Sequence, residues 1–89
     1  MEEKEYAKRR IACSAWFPAN GKPFPRLFKF KDDNGEIQTV KNISVHRIET
    51  KNQLSCPVNE YDCRAIIGGL MREFKIVYRL KSAEWYVSF

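Results

Sequence analysis

Tyr61-Asp-Cys-Arg-Ala-Ile-Ile-Gly-Gly-Leu-Met-Arg-Glu-Phe-Lys-Ile-Val-Tyr-Arg-Leu-Lys-Ser-Ala-Glu-Trp-Tyr-Val-Ser-Phe89 is the stretch whose reading decides the fold. The pair Gly68-Gly69 tolerates the positive φ values that a two-residue hairpin loop demands. With the turn there, Ile67 faces Leu70, Ala65 faces Arg72, Cys63 faces Phe74 and Tyr61 faces Ile76 on one largely apolar face. The opposite face sets Ile66 against Met71 and brings two opposite-charge couples into register, Arg64 with Glu73 and Asp62 with Lys75. A slip of one residue breaks both couples and turns the apolar set to water. A second turn over residues 81–84 faces Leu80 with Trp85, Tyr78 with Val87 and Ile76 with Phe89, again on the apolar face. The stretch predicts a three-stranded antiparallel meander.

Outward from the meander the period stays at two. From Arg10, the residues Ile11, Cys13, Ala15 and Phe17 point one way, while Arg10, Ala12, Ser14 and Trp16 point the other. That alternation predicts a strand. Pro18-Ala-Asn-Gly-Lys-Pro-Phe-Pro25 interrupts it as a proline-shaped loop. Arg26-Leu-Phe-Lys-Phe-Lys31 is the next strand, with Phe28 and Phe30 facing inward and Lys29 and Lys31 facing water. Asp32-Asp-Asn-Gly35 is a hairpin turn, and a four-residue loop opposes Phe30 with Ile37, Phe28 with Thr39 and Lys31 with Glu36. The third strand, residues 36–49, changes phase: Ile37, Thr39, Ile43 and Val45 share one parity, Val40 and Ile48 the other. A bulge near Lys41-Asn42 would reconcile them. Residues 50–59 carry no clean period and read as a loop. The expected architecture is all-β: a small antiparallel six-stranded barrel or half-open barrel built from hairpins, with the C-terminal three-stranded meander. Residues 9–89 form one β domain behind a flexible, charged N-terminus, residues 1–8.

A chain of 89 residues buries roughly 60–65% of its unfolded surface, enough for one core. No apolar run approaches the ~18–20 residues of a membrane span. The N-terminus also lacks the apolar segment of a secretion signal, so the expected compartment is the cytoplasm. An odd set of three cysteines, Cys13, Cys56 and Cys63, is not a disulfide framework. Convergence of the three with His46 would make a zinc site, but no pair has the short spacing of structural sites, so no metal and no cofactor is expected. A Cys–His nucleophile pair is conceivable in principle, yet nothing in the sequence brings the residues together, and no phosphate loop or nucleophile elbow occurs. No catalytic residue is assigned, and no small-molecule substrate is evident.

Pro25-Arg-Leu-Phe-Lys-Phe-Lys-Asp-Asp-Asn-Gly35, Val45-His-Arg47, Tyr61-Asp-Cys-Arg64 and Trp85-Tyr-Val87 resemble a family of short uncharacterised bacterial proteins. Its members run basic-aromatic strand, Asp-Gly turn, Val-x-Arg, Tyr-x-Cys-Arg and a closing tryptophan strand. The resemblance spans residues 11–88 and implies a compact bacterial β domain; it carries over no activity and no catalytic residue.

Two binding classes follow. The first is a non-catalytic module for another protein or a second copy of itself, using Tyr86 and Phe89 on a terminal edge strand. The alternative is a single-stranded nucleic-acid binder. Its face would combine Arg10, Trp16, Leu27, Lys29 and Lys31, stacking bases and neutralising phosphates. A net charge of +5 permits an acidic partner without demonstrating one. The bland reading of that face is that outer-strand lysines prevent edge-to-edge aggregation.

Overall fold

The computed structural model of the chain describes residues 9–53 and 55–89, all of them except Gln53 with side chains. The expectation for residues 1–8 lies outside the described residues. Seven strands form one antiparallel sheet: β1 (Arg9–Trp16), β2 (Phe24–Lys31), β3 (Ile37–Val40), β4 (Ser44–Gln53), β5 (Cys56–Ile67), β6 (Leu70–Arg79) and β7 (Glu84–Ser88). Their spatial order is β3-β2-β1-β7-β6-β5-β4. Among the described residues there is no helix, and hence none long and apolar enough to cross a membrane.

The Gly68-Gly69 hairpin has the expected register throughout, from Ile67 opposite Leu70 to Tyr61 opposite Ile76. Both glycines have positive φ, +61 and +83, the conformation of a type I′ turn whose twist matches its strands. Lys75 reaches Asp62 at 3.8 Å as the charge pattern implies, and Glu60 at 3.2 Å besides.

Elsewhere the sequence-based register needs correction. The second turn occupies Leu80–Ala83, so Tyr78 faces Trp85 and Ile76 faces Val87. That is two residues from the expected pairing, and the inward face is therefore kept. Ala83 takes φ +56 and its N–H donates to the Arg79 carbonyl at 2.9 Å, closing the four-residue loop, while Trp85 packs on Tyr78 with ring centres 4.4 Å apart.

The β2–β3 turn differs by one residue, which exchanges faces. Phe28 pairs with Val40 and Phe30 with Gln38, leaving Ile37 60% exposed and Val40 in the core. Here the loop is Asp33-Asn34-Gly35, closed by the Asp32 N–H on the Glu36 carbonyl at 2.8 Å, with Gly35 at φ +82. The expected bulge near Lys41-Asn42 is instead a break in the strand, with Asn42 at φ +55. The bulge itself falls at His46, between Val45 opposite Cys63 and Arg47 opposite Asp62. One extra residue there puts Val45 and Ile48 on the same side, against the core. Residues 50–53 and 56–59 are strand and not loop: β4 and β5 pair as far as Gln53 opposite Cys56.

Among the described residues the strands number seven instead of six, and their sheet is not closed into a barrel. It coils until β3 comes against β5 and not against β4, so the two outermost strands do not join. Phe28, Val40, Tyr61, Cys63, Phe74, Ile76, Trp85 and Val87 fill the space enclosed. Each large apolar side chain buried there contributes about 1.5–3 kcal/mol.

Candidate nucleic-acid interface

β1, β2 and β3 contain no carboxylate, while β1 and β2 carry Arg9, Arg10, Arg26, Lys29 and Lys31. The outer face of this three-stranded wing is built by the β1–β2 register, Ala12 opposite Lys29, Ser14 opposite Leu27 and Trp16 opposite Phe24. Ala12 and Ser14 are small, so the lysine stems beside them stand clear of bulky neighbours. Lys29 and Lys31 are exposed and Leu27 is half-buried. Of the residues expected on this face, Arg10 is the one already committed, in an ion pair with Glu84 at 2.9 Å. Glu84 also accepts from the hydroxyls of Tyr86 and Ser82, and these hydrogen bonds, with Arg10, hold its carboxyl below the ordinary range.

A second bulge shapes the far end of the wing. Ser14 pairs with Leu27 but Ala15 pairs with Pro25, so Arg26 is the extra residue. The bulge turns Pro25 into the interior, where it is fully buried, and sends both aromatic neighbours outward. Trp16 is 61% exposed and Phe24 41%. These two directly opposed residues, with Pro25, Arg26, Asn42 and Ile43, surround a cavity of about 580 Å³. The Pro23 carbonyl, one residue before Phe24, accepts a hydrogen bond from the buried Tyr61 hydroxyl. The loop is thereby tied to the core at the point where it enters β2. The sequence reading placed Phe24 in a loop and Arg26 at a strand start, and so missed both as site residues. No signal in the sequence marks them, because Phe24 and Phe28 share one parity and only the bulge sends them to opposite faces.

The protein-interaction residues lie elsewhere and not on an edge. β7 pairs with β1 on one side and β6 on the other, so Tyr86 sits on a central strand and the terminal-edge premise is overturned. Arg79 lies 5.1 Å over the Tyr86 ring. Phe89 packs its ring against Phe30 and Phe74 at 5.3 and 5.8 Å, with Arg72 5.4 Å above it, and so covers one end of the core.

The cysteines and His46 differ in exposure: Cys63 is buried and Cys13 half-buried, while Cys56 and His46 are exposed. The Cys63 thiol points into the core, donates to the Tyr61 carbonyl at 3.4 Å and is pushed up to about 12 by burial. Burial likewise raises Cys13 to about 12. His46, at its bulge, accepts from Arg64 Nε at 3.2 Å. Cys56 is exposed in β5. Among the described residues no three His, Cys, Asp or Glu side chains come together as a metal site would require. Comparison with protein-family models, curated proteins and solved structures finds no match to this chain.

Proposed function

We propose that this domain is a non-catalytic module that binds single-stranded nucleic acid on the outer face of β1 and β2. One observation carries the reading: a wing whose three strands contain no acid presents Lys29 and Lys31 toward one end and two opposed, exposed aromatic residues at the other. Lysines neutralise successive phosphates and release counterions, while bases stack on the rings. The rival protein-interaction reading loses the terminal edge that motivated it. The outermost strands offer a poorer substitute: β4 carries Arg47, Glu49 and Lys51 and a bulge, which discourage strand addition, and β3 is only four residues long.

Fluorescence anisotropy with labelled single-stranded DNA and RNA, titrated at several salt concentrations, tests the proposal. Affinity is expected to fall steeply with salt. Lys29→Ala and Lys31→Ala should each reduce the logarithmic salt slope by about 0.7. Trp16→Ala should remove about 1–3 kcal/mol of binding. Absence of oligonucleotide binding at low salt, together with concentration-dependent self-association, would return the domain to the protein-interaction class.

A further inference from the structure

We infer that the cavity beside Trp16 and Phe24 is a slot for one unpaired guanine, read by Arg26; this rests on the nucleic-acid reading above. Two consequences of one register shift meet there with a separate turn residue. The Ser14/Ala15 register shift makes Arg26 the bulge residue, and bulges re-aim side chains next to functional sites. The same shift opposes Trp16 and Phe24 across the strands, and both exposed rings border the cavity. Asn42, on the far wall, is held at φ +55 between β3 and β4, a conformation a side-chain-bearing residue adopts at some cost.

The chemistry of the lining selects the ligand. No carboxylate borders the cavity, and its charged group is a guanidinium, which donates and never accepts. A planar fork of donors matches a base edge with two adjacent acceptors. Guanine offers O6 and N7, adenine pairs an acceptor with a donor, and cytosine offers O2 and N3 on a smaller ring. The purine covers more of the Trp16/Phe24 surface, which favours guanine over cytosine. The Asn42 amide supplies an acceptor and donors for the remaining edge. A volume of about 580 Å³ admits a single base with its sugar. A base inside a duplex cannot enter, so the slot also demands an unpaired strand.

The test uses the full chain and labelled thymidine decamers carrying one central guanine, adenine, cytosine or 7-deazaguanine. The guanine decamer is expected to bind about tenfold more tightly than all-thymidine, and 7-deazaguanine, lacking the N7 acceptor, should lose most of that gain. Arg26→Ala should abolish the preference, and Arg26→Lys, which keeps the charge but not the planar fork, should not restore it. Arg26 is exposed, and matching thermal melts will confirm that these variants fold. If all decamers bind alike, or cytosine is preferred, the guanine slot is overturned while the nucleic-acid reading stands. A guanine preference that survives Arg26→Ala removes Arg26 from the assignment. Failure of every decamer to bind overturns both.

Discussion

Tyr61 shows how much one side chain organises. It is fully buried, its ring lies 6.0 Å from that of Trp85, and its hydroxyl joins β5 to the Pro23 carbonyl. The amide of buried Asn59, which accepts from Thr50 Oγ1 at 2.9 Å, points its nitrogen toward the same hydroxyl at 3.5 Å. Tyr61→Phe would leave the Pro23 carbonyl and the Asn59 amide short of a partner, and a urea melt should record a loss of about 1–3 kcal/mol. The thiols support a second test. Cys56 should react with an aromatic disulfide reagent at once in the native protein, half-buried Cys13 more slowly, and buried Cys63 only on unfolding. Their pKa values, raised by burial from 9.0 to about 12, and that of Tyr61, raised by burial from 10.0 to about 12, have a consequence for pH. The unfolded chain releases these protons first, so stability is complete below about pH 9 and falls as pH rises toward 12. Urea midpoints at pH 7.5 and 10.5 should differ accordingly; equal midpoints would contradict the burial of the three groups.

At the scale of elements, the Asp32 carboxylate sets the β2–β3 turn. One oxygen accepts the N–H groups of Asn34 and Glu36, each at 2.9 Å, and the other accepts Gln38 Nε2 at 2.7 Å. The Gln38 bond first, then the backbone bonds, hold its carboxyl below the ordinary value. A lowered carboxyl stabilises the fold above the unfolded pKa and ceases to do so as pH falls through the folded one. Asp32→Ala should therefore lower the urea midpoint at pH 7, and the difference from the parent should shrink in acid. The chelation also explains an illegible register. Composition allows a two-, three- or four-residue loop, and cross-strand charge favours the wrong one, because the hydrogen bonds that decide involve a side chain folding back on its own turn. Gly68-Gly69 was legible for the opposite reason: both residues must take positive φ, and two charge couples agree with the pairing. Phe24 and Arg26 were not legible, because a bulge erases the parity by which a strand is recognised.

For the whole molecule, what a sequence of local patterns cannot reveal is which distant strands meet. Alternation showed an all-β chain with one inward face, but nothing local to β7 states that β1 will lie beside it. That junction sets Arg9 opposite Val87 and Ile11 opposite Trp85. Val87 is fully buried there, so Val87→Ala should cost about 1–3 kcal/mol, while Ile37→Ala on exposed β3 should stay within about 0.5 kcal/mol. The measurement is a pair of urea melts, and similar losses at both positions would place the core elsewhere. The same junction bears on how the protein is made. β1 leaves the ribosome before β2 to β6 and β7 after them, so one edge of β1 stands open while those strands are made, some seconds at about 5–20 residues per second. During that interval the N-terminal hairpins can lean on nothing but themselves or a neighbouring nascent chain. Refolding yield should therefore fall as protein concentration rises, and a separately supplied peptide with the β7 sequence should compete for the waiting edge.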